Sequence, residues 1–366
     1  MAGITNKGVF VEKVSPFLRE KLNRLKKQFG EQSKEYQALS LQYVQQKIEE
    51  SASEENNNRH WEADLLVADA KGQIRGVERL YRKSMVIEPT MICAAHCRYC
   101  LRANYNIFTL NDSELVSIAK YCGSKDVRDD VNELLITGGD PLIVPSKLAF
   151  FIENVIKSAP NITRIRIGTR LPLHEPSRID NNVYDIISRF RDKVCLEIGI
   201  QVNHPVELFP EVIAILTKIK AFGIPIYSQN VLLKGVNDDI DTLVSLYQAL
   251  RSNGISPHYL FHSVPMRGMH HLRTTVKKGL NLIHELVNSG NISGRAKPMY
   301  ALMTDIGKIT LYDGSIIEEK DNMLLVQSKY RYSDRILWNP NWILPQTAQV
   351  DEEGFLRVWY LDGDDS

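Results

Sequence analysis

The chain is short of cysteine, of net charge and of long apolar runs, and each shortage excludes something. Five cysteines in 366 residues are too few, and odd in number, for a disulfide framework. That scarcity predicts reduced thiols and a cytoplasmic setting. Lys+Arg 45 against Asp+Glu 44 leaves +1, which argues against a basic nucleic-acid binder. No run approaches 18 apolar residues, so no membrane span is expected. The first residues, MAGITNKGVFVEKVSPF, lack the apolar stretch of a secretory signal. What is present is ordinary globular composition, 43% hydrophobic and 24% charged, enough to bury a full core. Length alone predicts one large domain with appendages or two domains.

Three textures follow one another. Residues 14–60 are polar, with Leu18, Leu22, Leu25, Phe29, Tyr36, Leu39, Leu41 and Val44 at helical steps, ending in the polar linker 51–58. They predict an N-terminal helical appendage, read as a packing or dimerisation arm. From about residue 84, β-rich runs at Ser84–Glu88, Glu133–Thr137, Arg164–Gly168, Val194–Gln201, Pro225–Val231 and His258–His262 alternate with amphipathic stretches. That alternation predicts βα units around a parallel sheet, a partial or full (β/α) barrel. After Pro298, short strands and turns predict a β-rich C-terminal extension with a frayed acidic end, Asp362 to Ser366. The fold class is therefore α/β, divided at 1–76, 77–300 and 301–366.

Three of the five cysteines fall in Cys93-Ala94-Ala95-His96-Cys97-Arg98-Tyr99-Cys100, a C-x3-C-x2-C spacing just after a strand. A structural zinc would want a fourth ligand at suitable spacing, and no second C-x2-C pair supplies one. Three thiolates suit a four-iron–four-sulfur (4Fe–4S) cluster that leaves one iron open to a small molecule. Cys122 and Cys195 sit among apolar residues and are expected in the core. His270-His271 is a weak metal pair, because adjacent residues point apart.

With Gly138-Gly139-Asp140-Pro141 after the next strand, this motif resembles the radical S-adenosylmethionine (SAM) superfamily. Within it, four segments are similar to lysine 2,3-aminomutase and its relatives: 135–142, 166–173 (RIGTRLPL), 202–207 (VNHPVE) and 228–238 (SQNVLLKGVND). The similarity runs in order from about residue 77 to 312. It implies a radical SAM barrel in which Cys93, Cys97 and Cys100 hold a 4Fe–4S cluster and SAM chelates the open iron. Cleaving SAM then gives a 5′-deoxyadenosyl radical that takes hydrogen from a small amine- or amino-acid-like substrate, for 1,2-amino migration. It further implies Gly138, Gly139 and Asp140 at the methionine end of SAM, His204 and Gln229 near SAM, and Lys308 as the lysine that binds pyridoxal phosphate (PLP). An electron donor such as flavodoxin or ferredoxin, and a homo-oligomer, belong to the same expectation.

Three departures qualify the resemblance. The glycine run before the PLP lysine is reduced to Gly307, and the arginine cluster after the third cysteine is thinned to Leu101-Arg102-Ala103-Asn104. The two aspartates that recognise the distal ammonium of lysine fall on Val264 and Met303, which cannot pair a cation. Arg170, Arg267 and Arg273 remain as anion binders. A PLP-independent lyase, decarboxylase or dehydratase is the alternative, and a zinc-stabilised nucleic-acid-binding protein the reading from another class.

Overall fold

The computed structural model describes residues 10–51, 66–69, 71–103, 105–312 and 314–365. The helices are α1 (Pro16–Phe29), α2 (Lys34–Tyr43), α3 (Asp112–Cys122), α4 (Lys125–Arg128), α5 (Pro145–Ser158), α6 (Leu171–His174), α7 (Asn181–Phe190), α8 (Pro210–Ala221), α9 (Ile240–Ser252), α10 (Val276–Asn288) and α11 (Tyr332–Trp338). The strands are β1 (Leu66–Asp69), β2 (Gly72–Glu78), β3 (Ser84–Thr90), β4 (Glu133–Gly138), β5 (Arg164–Thr169), β6 (Cys195–Ile200) and β7 (Ile226–Leu232). They continue with β8 (Ser256–His262), β9 (Met299–Thr304), β10 (Gly307–Thr310), β11 (Ile316–Lys320), β12 (Met323–Arg331), β13 (Ala348–Val350) and β14 (Phe355–Leu361).

Strands β1 to β10 form one sheet in sequence order, with β3 to β9 parallel and joined by helical crossovers. The antiparallel hairpins β1–β2 and β9–β10 lie at its two ends, so among the described residues the barrel is open. This sheet runs from Leu66 to Thr310, past the sequence divisions at 76 and 300. Each strand sends alternate side chains outward beneath the helices, as with Met85, Ile87, Leu134, Ile136, Ile165 and Ile167, all wholly buried. The alternate set faces the barrel interior: Leu135, Thr137, Arg166, Gly168, Gly199, Tyr227, Gln229 and Tyr259 line a cavity there. No helix among the described residues is long and apolar enough to cross a membrane.

The N-terminal helices pack on the barrel rather than standing off it. Ser15 caps α1 and donates its hydroxyl to the His174 carbonyl, and buried Lys21 reaches Glu211 at 2.6 Å. The expected polar linker at 51–58 lies outside the described residues except for Ser51.

The last strands form a second sheet, in the order β11-β12-β14-β13, over the open side of the barrel. Its end corrects the expectation of a frayed tail. Asp365 and Asp362 accept from the backbone N–H groups of Thr275 (2.9 Å) and Val276 (2.6 Å) at the start of α10. Arg273 donates to the carbonyls of Leu361 and Asp362. Carboxylates at a helix N-terminus meet its unpaired N–H groups and the favourable end of its dipole, which offsets the entropy of fraying. Cys122 is buried as expected. Cys195 is not: it opens β6 at the solvent edge of the sheet and is exposed.

Candidate active site

The loop after β3 places Cys93, Cys97 and Cys100 on one wall of a cavity of about 850 Å³ inside the barrel. Gly138, Gly139, Asp140, Gln229 and Lys308 line the same cavity. His204 does not. It is buried as the cap of a short turn, its Nδ1 accepting from the Val206 N–H at 3.1 Å. Its sequence signal, a polar residue after a strand, does not separate a lining residue from a turn cap.

The cysteine loop is held from two directions. The N-terminal segment grips it: His96 N–H donates to Lys13 O, Arg98 N–H to Gln42 O, and Lys13 Nζ to Cys93 O at 2.6 Å. From the other side the Gly138-Gly139-Asp140 edge packs backbone against backbone, Gly139 N–H donating to Thr90 O and Asp140 N–H to Ile92 O. A Cβ at Gly139 would stand 2.4 Å from Met91 C, and one at Gly138 would stand 2.7 Å from Thr90 O. Gly138 also has φ +100°, so both glycines are required for this close approach.

Charges around the thiols are unequal. The Arg170 guanidinium donates to Cys97 Sγ at 3.3 Å, with His174 Nε2 at 3.5 Å. Arg170 is itself paired with Glu207 and lies over the rings of Tyr43 and Tyr99. Burial and the neighbouring Asp140 and cysteines push the Cys93 thiol well up. Burial and Cys97 raise Cys100 to about 11. Asp140 accepts from Thr169 Oγ1, from the Arg170 N–H and from the Leu142 N–H. Burial nevertheless lifts its carboxyl to about 6. The Cys93 and Cys100 thiols, whose ionisation is opposed by burial and by neighbouring thiols, would ionise beside a cationic metal centre that supplies the missing countercharge. Among the described residues no three His, Cys, Asp or Glu side chains are grouped closely enough to enclose a single ion.

Another part of the cavity wall is aromatic. Lys308 Nζ lies 4.0 Å from the ring centroid of Tyr259, 5.5 Å from Tyr81 and 5.9 Å from Phe261. Its backbone N–H donates to the Tyr81 hydroxyl at 3.0 Å, and the Tyr330 hydroxyl donates to its carbonyl. Burial first, and then Arg166, bring the Lys308 amine down to about 8. Val264 and Met303 also line the cavity, packed with Met266, Met269, Ala103 and Cys100 as an apolar wall.

PLP does not fit these residues. Its amine partner is present, but a phosphate needs free cations or converging N–H groups. Arg102, Arg166 and Arg170 are held by Glu88, Glu133 and Glu207, and Lys329 stands at the rim beside Glu353 with 73% of its side chain exposed.

No family model matches the chain. A putative L-lysine 2,3-aminomutase of Aquifex aeolicus is 30% identical over 282 residues, 74% of each chain. The chain belongs to the lysine 2,3-aminomutase family of radical SAM enzymes. A glutamate 2,3-aminomutase of Clostridioides difficile is 30% identical over 227 residues, 61% of this chain and 52% of that protein. Among solved structures, a radical SAM methyltransferase from Sphaerobacter thermophilus has a TM-score of 0.45 at 15% identity, over 66% of this chain and 73% of that one. Sequence reasoning alone missed Glu207, Tyr43, His174 and Gln201, the last accepting from Tyr99 and Arg170, since their roles depend on contacts between distant segments. Arg170 was read only as one of three anion-binding arginines.

Proposed function

We propose that the chain uses a 4Fe–4S cluster on Cys93, Cys97 and Cys100, with SAM along the Gly138–Asp140 edge, to abstract hydrogen from a small amine- or amino-acid-like substrate. The observation that carries this reading is the convergence of the three thiols and the glycine edge on one cavity. When bound, the cluster and SAM supply a 5′-deoxyadenosyl radical. The protein's own part is to position and enclose. Arg170 offers positive charge beside Cys97, Gln229 would accept from or donate to the amino and carboxylate groups of SAM, and Asp140, its carboxylate taken up by Thr169, Arg170 and Leu142, would hold the edge on which SAM lies. Gly168 and Gly199 keep the lumen between the thiols and Lys308 open. The apolar lining and the C-terminal sheet keep water from a reactive radical. A one-electron donor of the flavodoxin or ferredoxin kind completes the reading.

The test is anaerobic reconstitution of the native chain and of the triple variant with Cys93, Cys97 and Cys100 changed to Ala. Iron and sulfide should load only the native protein, which should form 5′-deoxyadenosine when reduced with SAM. Equal loading of the triple variant would end the proposal.

A second reading, 1,2-amino migration with PLP, is favoured by the relatives' names and by the lowered Lys308 amine. The missing phosphate donors favour a PLP-independent radical reaction instead. Borohydride reduction in the presence of PLP decides: an adduct mapped to Lys308 supports migration, and its absence supports the PLP-independent reaction.

A further inference from the structure

Five cationic side chains line the cavity: Arg102, Arg166, Arg170, Lys308 and Lys329. Three are held by a carboxylate, and the fourth, Lys329, lies at the solvent-exposed rim beside one. Arg102 is on Glu88, Arg166 on Glu133 at 2.6 Å, Arg170 on Glu207, and Lys329 faces Glu353 at 3.9 Å. Lys308 has none within ion-pair distance among the described residues. Its ammonium is surrounded by Tyr259, Tyr81 and Phe261 instead. Aromatic faces compensate part of the lost hydration of a cation, but they leave its hydrogen-bond donors unused. The two tyrosine hydroxyls that pin the Lys308 backbone fix where those donors point from. The unpaired cation therefore lies among aromatic rings inside the cavity, on the strand residue paired with Met303.

We propose that Lys308 is the anchor for the carboxylate of the substrate, which makes the substrate a monocarboxylic amino acid with an uncharged side chain rather than a simple amine. One unpaired cation buried in the cavity matches one carboxylate. The wall of Val264, Met303, Met266 and Met269 offers nothing to a charged side chain. In this role Lys308 binds as a free ammonium and forms no bond to PLP. The assignment deepens the function proposed above and rests on its PLP-independent form.

The experiment is calorimetric titration of the anaerobically reconstituted protein, with iron content and SAM binding measured on the same samples. L-norleucine, hexanoate and 1-aminopentane serve as probes, the last lacking the carboxylate. Norleucine and hexanoate should bind, 1-aminopentane about tenfold or more weakly. Lys308→Gln should weaken norleucine and hexanoate by a similar factor without changing SAM affinity, and Lys308→Arg should restore part of the loss. Equal binding of 1-aminopentane, indifference to Lys308→Gln, or a borohydride-reduced PLP adduct on Lys308 would overturn the assignment. If Lys308→Gln does not fold, Lys308→Arg and the probe lacking a carboxylate still decide. Failure to load iron would sink the radical reading separately, since carboxylate binding is read without turnover.

Discussion

Arg98, inside the cysteine loop, and Glu49, on the N-terminal turn after α2, form an ion pair with side chains only 1% and 2% exposed. Arg98 also donates to Phe10 O at 2.8 Å, so one guanidinium fastens two stretches of the N-terminal segment to the cysteine loop. Removing one partner of a buried pair strands the other charge, a cost of about 3–5 kcal/mol. Glu49→Gln should lower unfolding free energy by about that amount in denaturant titration. Iron bound per chain should fall with it, although Glu49 is no ligand. A change under about 1 kcal/mol, the range of exposed pairs, would show that the clamp does not hold the loop.

Much of this fold was legible because it is local. The runs predicted at Ser84–Glu88, Glu133–Thr137 and Arg164–Gly168 are strands with apolar side chains outward, and the cysteine spacing lies within eight residues. What was not legible depends on distant partners. Nothing near Glu49 or Tyr43 announces a role at the cysteine loop, since their partners Arg98 and Glu207 lie 49 and 164 residues away. The tail residues Asp362 and Asp365 are polar, as frayed ends are, and only their pairing with the start of α10 tells them apart. Cys195 was expected inside because its neighbours are apolar, but strand ends break that rule where the sheet meets solvent.

The division of the cysteines predicts an uneven response to substitution. Single changes of Cys93, Cys97 or Cys100 to Ser should each abolish most iron loading, while Cys195→Ser should leave it untouched. Cys122 is wholly buried against the core, so Cys122→Ser should destabilise the chain yet preserve iron loading in the folded fraction. Iron and sulfide assays on purified variants check all five.

Gly139 should tolerate no side chain. A Cβ there would sit 2.4 Å from Met91 C and 2.5 Å from Ile92 N, both backbone atoms two or one residues before Cys93. Neither is the movable end of a side chain, so the loop itself must shift. Gly139→Ala should cost about 1–3 kcal/mol and reduce both iron content and SAM affinity. An alanine variant with native stability and iron loading would mean that the glycine edge does not position the thiols.

The wall of Val264 and Met303 predicts a poor fit for L-lysine. Seating an ammonium against buried methionines without a partner carries a desolvation penalty. In a 5′-deoxyadenosine assay, lysine should give about one tenth or less of the rate seen with an amino acid of uncharged side chain. Val264→Asp should shift preference toward lysine by supplying the missing charge. A native enzyme that prefers lysine would refute the apolar-wall argument.

The Lys308 amine, brought to about 8, gives carboxylate binding a definite pH dependence. The groups that influence or face it are Arg166, Glu133, His258, Tyr81, Tyr259, Phe261 and Tyr330. Burial holds His258 neutral, at about 4, and raises Tyr81 to about 12, with Tyr259 and Tyr330 also moved up. Of the histidine, the lysine and the tyrosines among these, Lys308 is the group whose charge changes near pH 8, where hexanoate stays ionised. Protonated Lys308 binds the carboxylate and the neutral amine does not, so affinity is full below the amine pKa and lost above it. A bound anion raises that pKa, which keeps the complex protonated while the free protein loses its proton. Titration calorimetry should therefore show a plateau from pH 6 to 7.5 and then a fall approaching tenfold per unit above about 8. Lys308→Arg should extend the plateau through pH 10, because guanidinium does not deprotonate in that range.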